Sequence, residues 1–87
     1  MIVENDSTIE ILKKELRNIP MFPIIKNGKM NKISVRQLYT RRAYKNIIKK
    51  YASSNQEPIM EYARKYIKVY VNLKMREYER TGRITNE

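Results

Sequence analysis

Arg41, Lys45 and Lys49 stand at i, i+4 and i+8, with Arg42 beside the first of them. On a helix this spacing stacks the cations along one side at ~6 Å intervals, from a rise of about 1.5 Å per residue. Neighbouring phosphates of a nucleic-acid strand lie within ~7 Å of one another and carry the charge that dominates affinity. The row therefore matches a phosphate-backbone contact. Thr40 and Asn46 border it and carry groups that hydrogen-bond phosphate or base edges. Arg36 and Lys50 flank it, and Lys26, Lys29 and Lys32 cluster around Asn27-Gly28 just upstream. A basic ribbon beside a basic helix can hold a duplex backbone or reach a groove. The same lysines also suit a protected strand edge, because lysine blunts open edges.

The surroundings of these residues matter as much as their spacing. The chain carries a formal net charge of +10, yet no acidic residue occurs between Glu15 and Glu57. That gap holds Arg17, Lys26, Lys29, Lys32, Arg36, Arg41, Arg42, Lys45, Lys49 and Lys50. Basic and acidic residues balance in the rest of the chain, so the whole excess sits in residues 16–56. An ordinary solvated surface intersperses the two signs, because like charges repel one another and strain the compact state. Exclusion of acid from one long segment points to an anionic partner, with a solvated helix face as the plain alternative.

Other chemistries lack their residues. Without cysteine there are no disulfides or thiolate metal sites, and without histidine the commonest metal ligand and neutral-pH acid–base group is missing. The carboxylates lie toward the two ends, and none accompanies an activated nucleophile. Lys26-Asn27-Gly28-Lys29 lacks the spacing of a phosphate-binding loop. The expectation is a protein that is not an enzyme and carries no cofactor or metal. Seven tyrosines include Tyr62, Tyr66 and Tyr70 at i, i+4 and i+8. Such a ladder can stack bases. Its place beside Ile59, Ala63 and Ile67 instead predicts core, with hydroxyls at the rim. Tyr39 is expected to be the least embedded of the tyrosines.

Four segments must position these residues. Ser7 and Glu10 form an S-x-x-E capping box ahead of Ile9, Leu12, Leu16 and Ile19, which predicts a helix over 7–19 stopped by Pro20. Residues 20–32 read as extended. Asn27-Gly28 accepts the positive φ of a two-residue turn, so a hairpin pairing Pro23–Lys26 with Lys29–Lys32 is expected, with a plain loop as the alternative. Ser34 and Gln37 repeat the capping pattern and start a basic helix over 34–52. Its apolar face, Tyr39, Ala43, Tyr44, Ile47, Ile48 and Tyr51, opposes Arg41, Arg42, Lys45 and Lys49. A polar linker leads to a long helix over 57–81, with Pro58 in its first turn and Gly82 just past its end. From Ile59 to Leu73 its apolar residues span about half the circumference, which predicts the central core helix. After Leu73 the pattern degrades, so the last turns are expected to meet solvent or another chain, and residues 82–87 to fray.

A chain of 87 residues has surface for one core only. Hydrophobic residues at 41% and charged residues at 32% suit a folded, soluble domain. The expected fold is mainly α: one compact three-helix domain over 1–87, with a short β-hairpin admitted between helix 1 and helix 2. The expected function is nucleic-acid binding, DNA before RNA, through the basic helix. Phe, Tyr, Met, Ile, Asn and Lys together outnumber Gly, Ala, Arg and Pro, a bias of AT-rich genomes that suggests a small regulator or accessory factor of a virus, plasmid or AT-rich microbe. The alternative is a modulator or inhibitor that docks its basic patch on an acidic surface of a host or viral protein. Met75 and Tyr78, if exposed, favour that reading or a homodimer through the last helix. No apolar run approaches the ~18 residues of a membrane span. Residues 1–6 lack a secretory pattern, so an intracellular location, cytoplasm or host nucleoid, is expected.

Overall fold

Ser7 starts the first helix as its position predicts. The side-chain oxygen accepts a hydrogen bond from the Glu10 amide at 3.2 Å, and α1 runs Thr8–Arg17. A computed structural model describes residues 7–20, 25–26, 29–54 and 56–84. α1 closes two residues before the expected end. Asn18 and Ile19 donate to the carbonyls of Glu15 and Leu16, each at 3.1 Å, tightening the last turn ahead of Pro20.

Between the helices the backbone of β1 (Ile25–Lys26) pairs antiparallel with β2 (Lys29–Met30), Ile25 opposite Met30 and Lys26 opposite Lys29. The second strand is shorter than the expected Lys29–Lys32, because Asn31 caps the next helix and Lys32 begins it. Asn27-Gly28 and the expected strand start at Pro23 lie outside the described residues.

α2 runs Lys32–Ala52 and is capped by Asn31, whose Oδ1 accepts from the Ser34 amide at 2.8 Å. This corrects the start expected at Ser34. Asparagine is as strong a cap as serine, and Ser34 is itself buried in the first turn. α3 runs Met60–Thr81 with Ile59 at its N-cap. Pro58 therefore precedes the helix, and it is buried there. Gly82 ends α3 in the left-handed region, φ 69°, and its amide donates to the Tyr78 carbonyl at 2.7 Å. Glycine adopts this conformation without the penalty a Cβ imposes.

The core is built on two rows with i, i+4 spacing. Val35, Tyr39, Ala43 and Ile47 from α2 meet Ala63, Ile67, Val71 and Met75 from α3, and Leu12 joins from α1. The two long helices are antiparallel: Lys50 reaches Tyr62 at one end and Lys32 pairs with Glu79 at the other. α1 lies along another flank of α2, with Ser7, Ile9, Glu10 and Lys13 sharing a crevice with Ile48, Tyr51 and Ala52.

The central helix is thus α2, not the last helix as the apolar content of α3 suggests. The buried residues of α3 are the row from Ala63 to Met75, with Met60, Tyr66, Tyr70 and Tyr78 packed at its edges. Ile59, Tyr62, Val69 and Leu73, counted in the expected stripe, are exposed. Met75 is buried and Tyr78 and Ile84 pack against the core, so the C-terminal turns of α3 dock rather than project. Tyr39 reverses its expectation too. It is fully buried, because its position in the i+4 row between Val35 and Ala43 fixes it inward.

Candidate nucleic-acid interface

α2 holds Lys32, Arg36, Arg41, Arg42, Lys45, Lys49 and Lys50 and no carboxylate. Among the described residues, α1 and α3 occupy two flanks of the helix, β2 touches it as well, and the side carrying Lys45 and Lys49 is open. Lys45 and Lys49 are exposed on that open side, and neither has a partner among the described residues. Arg42 lies one turn before Lys45, its guanidinium carbon 5.6 Å from the centroid of the Tyr39 ring. The cation lies over the ring face, and Arg42 is partly exposed. Arg42, Lys45 and Lys49 span about 10 Å of helix.

Arg41 has a different role from its neighbours. Its Nη1 donates to the carbonyls of Ile19, at 3.0 Å, and Leu16, at 3.4 Å. Both carbonyls lie at the C-terminal end of α1, where the helix dipole favours a cation, and that of Leu16 also accepts from the Ile19 amide. Arg41 therefore ties α1 to α2, and the expected row Arg41–Lys45–Lys49 is headed by Arg42 instead.

The remaining expected basic residues divide between four places. Lys50 turns toward α3: its Nζ is 3.2 Å from the Tyr62 hydroxyl and 5.6 Å from the ring centroids of Tyr51 and Tyr62. The contact with that hydroxyl raises the ammonium pKa above its usual value. Lys32, the first residue of α2, forms a surface ion pair with Glu79, and that bond holds the Glu79 carboxyl below its usual range. Lys26 and Lys29 are register partners in the strand pair ahead of α2.

Arg36 lines a shallow groove between α2 and α3 with Thr40, Tyr44, Arg64, Ile67, Lys68 and Val71. Arg64 and Lys68 were not singled out in sequence, because Glu61 interrupts the basic run and no linear pattern joins them to Arg36. Their i, i+4 spacing was the only signal, and it acquires meaning once α3 packs antiparallel to α2. Thr40 donates its hydroxyl to the Arg36 carbonyl at 2.7 Å, so its one donor is used inside its own helix.

A polar link beside this groove joins all three helices. The Tyr44 hydroxyl donates to Glu15 Oε2 at 2.7 Å, and Arg64 Nη2 lies 3.4 Å from Glu15 Oε1. Burial pushes the Tyr44 pKa up to about 12, aided by the hydrogen bond to Glu15 and its negative charge, while Arg64 pulls it down. Glu15 is thereby engaged by Tyr44 and Arg64 and lies away from Lys45 and Lys49.

Among the described residues no group of three or more His, Cys, Asp and Glu side chains is placed to hold a metal ion. No described helix is long and apolar enough to cross a membrane. No protein-family model matches the chain, nor does any curated protein or solved structure.

Proposed function

We propose that this protein binds nucleic acid, DNA before RNA, by laying the open side of α2 against the phosphate backbone. The observation that carries this reading is a 21-residue helix with seven cations and no carboxylate, whose outward row consists of Arg42, Lys45 and Lys49. Arg36 and Lys50 flank the row, Lys26 and Lys29 extend the footprint from the strand pair, and Lys68 adds charge across the α2–α3 groove. Arg41 and Lys32 contribute to the local potential while holding α1 and Glu79. A helix fits the major groove of B-DNA, about 12 Å wide, whereas the major groove of A-form RNA is too narrow for side-chain readout. The role that fits is a small regulator or accessory factor of a virus, plasmid or AT-rich microbe.

The test is fluorescence anisotropy with labelled duplex DNA, single-stranded DNA and RNA at several salt concentrations. Tightest binding to duplex DNA is expected. With roughly three to five phosphates engaged, log K should fall against log salt with a slope of about −3 to −5, at ~0.9 per phosphate. Absence of binding at low salt contradicts the reading and directs attention to an acidic protein surface as the partner.

A further inference from the structure

Beside its core row α3 carries a second apolar row with its own spacing, in which Tyr66 is partly buried against the core and the other members are exposed. Ile59, Tyr62, Tyr66, Val69 and Leu73 follow one another at intervals of three, four, three and four residues. This is the a/d repeat of a coiled-coil seam, distinct from the i+4 row that faces α2. Ile59 is 73% exposed and Leu73 58%, and Tyr62 and Val69 are exposed as well. From the geometry we infer that this row is the seam of an antiparallel homodimer, α3 against α3.

Two features commit the face to a second copy of the same chain. The first is self-complementarity. In an antiparallel seam a positions meet d positions of the partner. About a two-fold axis between Ile67 and Lys68, Tyr66 meets Val69 of the second copy and Leu73 meets Tyr62. Both of these layers pair a tyrosine with an aliphatic residue, each pairing occurs twice, as an isologous contact requires, and Ile59 meets Arg76 at the two ends. The second is charge. Glu61 flanks the seam near the start of α3 and Arg76 continues it near the end, and neither has a partner among the described residues. Antiparallel packing sets Glu61 of one copy near Arg76 of the other at both ends. A parallel pair would instead place Arg76 on Arg76 and Arg80 on Arg80 inside the seam, like charges that oppose association.

Sedimentation equilibrium of the nucleic-acid-free protein in moderate salt tests this, independently of DNA binding. A reversible dimer is expected from the wild-type chain. Val69→Glu with Leu73→Glu should give a monomer with the same helical circular dichroism, because both side chains lie outside the core. The register is tested by charge exchange. Glu61→Arg and Arg76→Glu should each weaken the dimer several-fold, and the two together in one chain should restore it. A wild-type monomer at high concentration overturns the inference, as does a dimer that survives the Val69/Leu73 change. A double exchange that fails to restore association overturns the antiparallel arrangement.

Discussion

α2 and α3 are nearly equal in length and contribute matching i+4 rows to one core, yet their outward sides differ in kind. Outside the core row, α2 presents Arg42, Lys45 and Lys49 with no acid on the helix. α3 presents Tyr62, Val69 and Leu73, bordered by charges of both signs. A surface bearing only cations repels a copy of itself and attracts a polyanion. An apolar row with mixed charges at its rim lacks that field, and it gains by being covered. Two helices that are equivalent in holding the fold together are thus equipped for different partners.

The comparison is broken most severely through the face the helices share. Tyr39→Ala removes a fully buried ring and should cost about 3–5 kcal/mol. Leu73→Ala, on the outward side of α3, should change monomer stability by no more than about 0.5 kcal/mol. Chemical denaturation of dilute samples compares the two, and similar losses would mean that the outward row of α3 is part of the core. Tyr44→Phe should cost about 1–2 kcal/mol by removing a hydrogen bond to a carboxylate.

Tyr44 also gives a pH signature. Its hydroxyl titrates near about 12 in the folded chain against 10.0 as the ordinary value. The unfolded chain therefore loses this proton first. The stabilisation is complete below pH 10 and is lost as pH rises toward 12. Melts across this range should show a steeper fall for the wild type than for Tyr44→Phe. Parallel curves would place the hydroxyl outside the link to Glu15. A smaller effect is expected at the α2 start, where Asn31→Ala should cost about 1 kcal/mol and Gln37→Ala much less, as thermal melts can show.

Much of this architecture was legible in the residues. Ser7 and Gly82 mark their helix ends because capping depends on a side chain or a φ value belonging to one residue. The division of α2 into apolar and basic sides followed from periodicity alone. Periodicity failed on α3, where two apolar rows blend into one broad stripe: it does not say which row meets α2 and which stays open. Tyr39 was misplaced because tyrosine is compatible with rim or core, and only the position of α3 decides. Arg41 belonged by spacing to the basic row, but its partners are carbonyls at the end of α1, more than twenty residues away. Arg64 and Lys68 join Arg36 only across the antiparallel pair, a proximity that no linear window contains.

The central claim is that location, not total charge, makes the open side of α2 the binding surface. The most direct measurement compares two triple variants that lose the same charge, by salt-dependent anisotropy on duplex DNA. Arg42→Ala, Lys45→Ala and Lys49→Ala remove the outward row, while Lys13→Ala, Lys65→Ala and Arg80→Ala remove exposed cations outside residues 16–56. Alanine is a good helix former, so both should keep their helical circular dichroism. The first variant should bind weakly to all sequences alike, with a salt slope shallower by about 3. The second should keep most of the affinity and nearly the wild-type slope. Equal losses of affinity and slope in the two would contradict the account, leaving diffuse positive charge as the whole of the attraction.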